Sequence, residues 1–179
     1  PYSATKIAAD QLAISYFKSF NLPVIIARPF NAYGPRQSAR AVIPTIISTL
    51  LKDKELKLGN LYPTRDFNFV EDTASGMIFL AKCEKNIFGE IINIGSNNEI
   101  SIGELVNLIA NILGKQFTIS EDDSRIRKKE SEVNRLRCNN NKLKSLGWES
   151  KVELKEGLMK TIEYIKQNLH HYKDEVYNL

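Results

Sequence analysis

Apolar residues recur along the first twenty positions at the spacing of one helical face. Ala9, Leu12, Ala13, Tyr16, Phe17 and Phe20 lie three or four apart, which predicts a helix over residues 2–20 carrying a single apolar stripe. The pattern then changes. Pro23-Val24-Ile25-Ile26-Ala27-Arg28 is a short β-branched run, apolar enough to predict a strand buried on both faces, as strands of parallel sheets are. A helix leading into such a strand is half of a doubly wound unit. Residues 30–40, rich in Asn, Gly, Pro and Arg, predict a loop where the carboxyl end of a strand delivers ligand-binding residues. Val42 to Leu51 predicts a second helix. Lys57-Leu58-Gly59-Asn60 and Arg65 to Val70 predict short strands around a turn, and Glu71-Asp72 opens a helix through Ala81 with carboxylates in its favourable first turn.

Gly89 to Gly95 predicts another buried strand. The helix after it has the clearest local signature in the chain: Ser101 and Glu104 form a capping box, and Ile100 and Leu105 can staple across it. Leu105, Leu108, Ile109, Ile112 and Leu113 supply its apolar face, and Gly114 stops it. Residues 120–135 are polar and highly charged, which predicts a mobile loop. Lys142 to Leu146 predicts a short helix, and Leu154, Leu158, Ile162, Ile165 and Leu169 mark a last amphipathic one. The order predicts an α/β fold in which a doubly wound part, residues 1–95, gives way near residue 95 to a smaller α+β lobe, residues 96–179.

Composition narrows the function. At 179 residues and 42% hydrophobic, the chain can bury one sizeable core. Its 25 basic and 21 acidic residues leave a modest +4, with the basic ones scattered apart from Arg125-Ile126-Arg127-Lys128-Lys129. That distribution argues against a nucleic-acid footprint and suits a small polyanion such as a nucleoside diphosphate. Cys83 and Cys138 are far apart, with no Cys-x-x-Cys and no His at ligand spacing, so neither a metal site nor a disulfide framework is expected. Reduced, cytoplasmic thiols are the default reading. No apolar run approaches the roughly 18 residues of a membrane span. His170 and His171 lie in a polar tail without a carboxylate or cysteine at ligand spacing and read as solvated.

Candidate chemistry starts at Pro1-Tyr2-Ser3-Ala4-Thr5-Lys6. A free phenol has a pKa of roughly 10 and is a poor base at neutral pH. An ammonium one helical turn away favours the phenolate, so Tyr2 with Lys6 can exchange a proton with a substrate hydroxyl. Three further signatures follow in order: Ala27-Arg28-Pro29-Phe30-Asn31-Ala32-Tyr33-Gly34-Pro35-Arg36-Gln37, then Arg65-Asp66-Phe67, then Val70 with Asp72. With these four signatures, from Tyr2 through Leu146-Gly147-Trp148 and the helix beyond, the chain resembles the extended short-chain dehydrogenase/reductases that act on nucleotide sugars. The run Arg36-Gln37-Ser38-Ala39-Arg40-Ala41-Val42-Ile43-Pro44 resembles the 4,6-dehydratases of that family, including those acting on N-acetylglucosamine nucleotides in nonulosonic acid synthesis.

The resemblance implies the C-terminal part of a Rossmann-type doubly wound parallel sheet plus a smaller α+β substrate-binding lobe. It also implies an NAD cofactor, a nucleotide-diphosphate sugar as substrate, and a homodimer through the first helix, with no nucleic acid or membrane partner. Tyr2 and Lys6 would be catalytic and would face the cofactor together with Arg28 and Pro29. Asn31 would lie between cofactor and sugar or diphosphate, and Arg36 near the sugar, with Tyr33 beside the nicotinamide or sugar. Val42, Ile43 and Pro44, with Leu58, Gly59 and Asn60, would wall the nucleobase. Arg65 and Arg127 would clamp the two phosphates, the geometry a planar guanidinium suits, and Glu132 would reach the ribose. One segment departs from the pattern: relatives often read Arg-Pro before Ser-Glu-Val, where this chain has Arg127-Lys128-Lys129-Glu130-Ser131-Glu132-Val133.

The implied reaction oxidises the sugar at C4 with Tyr2 taking the hydroxyl proton, loses water across C5 and C6, and returns hydride to C6. The family's Gly-rich cofactor turn does not occur in these residues, so the chain reads as a piece of a longer protein, inactive alone, whose cofactor half lies outside it. A nucleotide-sugar 4-epimerase would use the same Tyr2 and Lys6. A non-catalytic nucleotide-sugar binding module would keep Asn31, Arg65 and Arg127 but have no use for Tyr2 and Lys6.

Overall fold

The computed structural model describes residues 1–122 and 132–172. Helix α1 (Tyr2–Phe20) has no buried residue and ends where Asn21 turns left-handed at φ 54°. The chain then enters β1 (Ile26–Pro29), which pairs in parallel with β6 (Ile91–Ile94), Ile26 opposite Ile91. After Phe30, whose N–H still donates to the Ile94 carbonyl at 2.8 Å, the same run continues as β2 (Asn31–Tyr33). It now pairs in parallel with β5 (Phe67–Phe69). The segment expected to be loop from residue 30 therefore begins as strand, because the backbone groups of 31–33 find partners in 67–69.

Helix α2 (Val42–Leu51) precedes β3 (Leu56–Leu58), which pairs with β8 (Ile119–Glu121). A third sheet centres on β4 (Thr64–Arg65), antiparallel to β7 (Ile100–Ser101) and parallel to β9 (Arg135–Leu136). Helices α3 (Val70–Ala81), α4 (Ile102–Leu113), α5 (Asn141–Leu146) and α6 (Leu154–Gln167) complete the order, with a 3-10 turn over Leu169–His171. α4 starts on the expected box: Ser101 Oγ accepts the Glu104 N–H at 3.1 Å while the Ser101 N–H donates to the Glu104 carboxylate at 2.9 Å. Gly114 ends it at φ 64°. The expected mobile loop over 120–135 is strand at both ends, in β8 and β9, and its middle lies outside the described residues.

Two apolar clusters hold these elements. The smaller gathers Leu80, Ile87, Ile92, Ile94, Leu143 and Trp148, with α3 packed against both β1 and β6. The larger sets Ile46, Leu50, Phe69, Leu105, Ile109 and Leu158 around the facing sides of α2, α4 and α6. Both clusters draw on residues from either side of position 95: Leu143 and Trp148 enter the first, and Tyr33 to Phe69 enter the second. β1 departs from the expected strand covered on both faces. Ile26 is buried, but Arg28 and Pro29 are exposed at the end where α1 is the neighbour.

Candidate active site

Tyr2 occupies the first turn of α1 with 74% of its surface open to solvent. Lys6, one turn on, places Nζ 5.4 Å from the centroid of the Tyr2 ring, close enough for the ammonium to act electrostatically on the phenol. Two contacts hold α1 to the sheet. The Arg28 guanidinium is paired with Asp10, its Nε donating to Asp10 Oδ2 at 2.7 Å. Phe17 lies where a side chain at Gly89 would sit, so the glycine, at φ 80°, lets the ring close on the loop before β6. Arg28, expected at the cofactor, is thus engaged as the strut between α1 and β1. Pro29 closes β1 beside it, exposed.

The next link runs through Asn31 and Asp66. Asn31 Nδ2 donates to the Asp66 carbonyl at 3.2 Å. The Asp66 carboxylate, fully buried, accepts the Ser96 N–H at 3.0 Å, the Ser96 hydroxyl at 2.8 Å and the Cys138 N–H at 3.1 Å. A buried carboxylate with three donors is satisfied, and it ties β5 to the turn after β6 and to the chain entering α5. Cys138 beside it is no nucleophile: burial, then the Asp66 charge, push its thiol up to about 12. Asp72 plays a similar part at the start of α3, accepting the Lys151 and Val152 N–H groups at 3.1 and 2.9 Å.

One residue before Asp66, Arg65 opens into a cleft of about 210 Å³. Its Nη1 donates to the Thr64 carbonyl at 2.8 Å and the Val133 carbonyl at 2.6 Å, and its Nη2 donates to Glu132 Oε1 at 3.2 Å. The side chains of Arg65 and Glu132 are 18% and 10% exposed, so the pair is fixed in position at the cleft wall. Val42, Leu58, Gly59 and Asn60, which the resemblance assigns to a nucleobase wall, line the same cleft. Ile43 and Pro44 do not. Ile43, Ile46, Ile47 and Leu50 recur at helical spacing on the face of α2 that enters the larger cluster, which leaves Val42 and Thr45 toward the cleft. Arg40, Thr45, Pro63 and Ile102 complete the lining and were not anticipated. Thr45 could have been found from the α2 period, three positions after Val42; Arg40 had no signal beyond its place just before the helix.

Two expected residues stand apart from the cleft lining. Arg36 is exposed on the turn after β2 with a left-handed backbone at φ 69°. Tyr33, placed beside the nicotinamide or sugar by resemblance, is buried. Its ring packs edge-on to Phe67 and Phe69, and its hydroxyl donates to the Leu154 carbonyl at 3.1 Å. Burial, with Asp72 next, raises its pKa far above the ordinary phenol value, so it stays neutral. Arg127 lies outside the described residues. Among the described residues no group of three or more His, Cys, Asp or Glu is arranged to hold a metal ion, and no helix is long and apolar enough to cross a membrane.

A helix with Tyr and Lys one turn apart, feeding a parallel pair of strands and backed by an arginine cleft, defines a short-chain dehydrogenase/reductase of the extended kind. Residues 1–161 match the family model described as GDP-mannose 4,6 dehydratase, and the chain belongs to this nucleotide-sugar dehydratase and epimerase family. It is 33% identical over 178 residues to human dTDP-D-glucose 4,6-dehydratase, covering 97% of this chain and 50% of that protein. The structure is similar to that of a Bacillus anthracis dTDP-glucose 4,6-dehydratase in complex with NAD, with a TM-score of 0.86 and 32% identity over 96% of this chain and 54% of that one. It matches a Bacillus cereus UDP-glucuronic acid 4-epimerase, in complex with UDP-glucuronic acid and NAD, equally well: TM-score 0.86, 32% identity, 94% and 53% covered. The chain spans about half the length of the relatives it matches.

Proposed function

We propose that the protein carrying this chain is an NAD-dependent nucleotide-sugar 4,6-dehydratase. The exposed Tyr2, with Lys6 at its ring, linked through Arg28, Asn31 and Asp66 to the Arg65 cleft, supports oxidation of a nucleotide sugar, and the likeness to 4,6-dehydratases favours loss of water as the outcome. The residues present fit the nicotinamide end of NAD: a phenol open to a ligand, with the Lys6 ammonium at its ring. Tyr2, Lys6, Pro29 and Asn31 would hold the cofactor there, while Arg28 positions the helix of Tyr2 and Lys6 through Asp10. When bound, NAD supplies the hydride acceptor and donor.

The chain's own residues then divide the work. Tyr2 takes the proton of the sugar 4-hydroxyl, and Lys6 offsets the phenolate charge. Arg65 binds phosphate by charge-assisted hydrogen bonds, Val42, Leu58, Gly59 and Asn60 wall the base, and Glu132 orients Arg65 beside the ribose. Arg127 and Arg36 are assigned to substrate phosphate and sugar on resemblance alone. The smaller apolar cluster belongs to the cofactor-binding half and the larger to the substrate lobe. In the same reading the protein works in the cytoplasm on nucleotide sugars for cell-surface polysaccharide, as a homodimer through α1; both cysteines are free thiols.

The likeness to a 4-epimerase favours a second reading, since the same Tyr2 and Lys6 serve C4 oxidation in either reaction. Incubating the full-length protein with UDP- or GDP-linked N-acetylglucosamine and NAD separates them by product mass. A product lighter by one water supports the dehydratase. A mass-neutral 4-epimer as sole product overturns it and leaves the Tyr2 and Lys6 assignment standing.

A further inference from the structure

The cleft that holds Arg65 contains a second guanidinium, that of Arg40. The two arginines differ in how their charge is used. Arg65 is paired with Glu132 and bonded to two carbonyls, so together Arg65 and Glu132 bring no net charge to the cleft. Arg40 has no ion-pair or hydrogen-bond partner for its guanidinium among the described residues, its only recorded bond being from its backbone N–H to Ser38 Oγ at 3.4 Å. Among the described lining residues the net positive charge is therefore the charge on Arg40.

The backbone around Arg40 is tied down while its side chain is left free. The Thr45 hydroxyl donates to the carbonyls of Ala39 at 3.0 Å and Ala41 at 2.9 Å, bracketing Arg40 on both sides. The Ala41 N–H donates to the Ser38 carbonyl at 3.0 Å. Thr45 itself stands on α2, whose apolar face is locked into the larger cluster. A cation on an anchored loop whose N–H donors meet no partner among the described residues, at a cleft where Arg65 is neutralised by Glu132, suits a ligand bearing more than one negative charge.

Resting on the nucleotide-sugar reading above, we propose that Arg40 is a binding residue for the diphosphate, supplying the charge that distinguishes a nucleoside diphosphate from the less charged nucleotide. Arg65 gives directional hydrogen bonds; Arg40 gives the uncompensated charge. This makes Arg40 a specificity determinant for the charge of the ligand and not for its base.

The test is titration calorimetry of the full-length protein with UDP, dTDP and GDP, and with the monophosphate of whichever binds best, for wild type, Arg40→Met, Arg40→Lys and Arg65→Met. Arg40→Met should weaken diphosphate binding about ten- to a hundredfold. The monophosphate should lose less, Arg40→Lys should recover part of the loss, and the wild-type preference for diphosphate should shrink as salt rises. Equal losses on diphosphate and monophosphate would overturn the proposal, since a merely structural or base-contacting Arg40 behaves that way. Normal binding in Arg40→Met with weakened binding in Arg65→Met would overturn it and leave the nucleotide-sugar reading intact. A wild-type protein that binds none of the nucleotides would overturn both.

Discussion

At the scale of single residues, the chemistry rests on a phenol and an ammonium on adjacent turns of one helix. Tyr2→Phe removes the only titratable oxygen of the ring while preserving its shape, so turnover of the full-length protein should fall by about two to four orders of magnitude, with substrate binding largely kept. Lys6→Met should lower turnover likewise, because the ammonium that stands 5.4 Å from the centroid of the Tyr2 ring is then gone. Initial rates against pH for the three proteins check both statements, and full activity in Tyr2→Phe would remove Tyr2 from the mechanism. These two residues were legible in the sequence because helical spacing alone brings them together. The partner of Arg28 was not: Asp10 lies on another element, and only the docking of α1 on β1 makes that pair. Tyr33 misled for the same reason, since nothing local tells a ligand-facing phenol from one buried against α6.

At the scale of elements, packing of α6 on β2 and β5 depends on a gap in a helix. A side chain at Gly157 would overlap the Tyr33 hydroxyl and come within 2.8 Å of Phe69 Cδ2, both in the larger cluster. Gly157→Ala should therefore destabilise by about 1–3 kcal/mol despite its better helix propensity, read as a lower urea midpoint with unchanged slope. The sheet β7-β4-β9 carries a pH-dependent element. Arg135 Nη2 donates to Glu99 Oε1 at 2.6 Å, its Nε is shared between Oε1 at 3.0 Å and Oε2 at 2.9 Å, and the Thr64 hydroxyl donates to Oε2 at 2.7 Å. Arg135, then Thr64, hold its carboxyl down at about 2, below the usual glutamate value of about 4.3. Depression of the folded-state value means the stabilisation is present above about pH 4.3 and lost as pH falls toward about 2. Urea unfolding should show wild type more stable than Glu99→Gln at pH 7, with the gap narrowing below about pH 4.3 and closing as pH falls through about 2; a constant gap would remove the ionic contribution. Helix bounds and the α4 cap were readable because period and capping are local. The two- and three-residue strands were not, since pairs such as Thr64 with Arg135 join positions seventy apart and their shortness leaves no period to detect.

At the scale of the whole molecule, α1 sets the largest open question for assembly. It is 19 residues long with no buried residue, and Ile7, Leu12, Tyr16 and Phe20 stand exposed along it. The sequence pattern identified an apolar stripe but not which members the chain itself covers. Phe17 turns onto Gly89, whereas Leu12, Tyr16 and Phe20, four apart, form a line left open. An exposed apolar line on a helix favours association, because burying it gains about 25 cal/mol per Å². The proposed homodimer places it against its copy. In the full-length protein, Leu12→Glu should put a charge at the centre of that contact and shift sedimentation from dimer toward monomer, while the far-ultraviolet spectrum stays that of wild type. Tyr16→Glu should do the same, and combining the two should add little once the dimer is lost. Phe17→Asp should instead lower the melting temperature, because its ring anchors α1 to the loop before β6 within one chain. A Leu12→Glu variant that sediments as a dimer at every concentration would show that α1 is covered from within the same polypeptide and that the homodimer, if formed, uses another face.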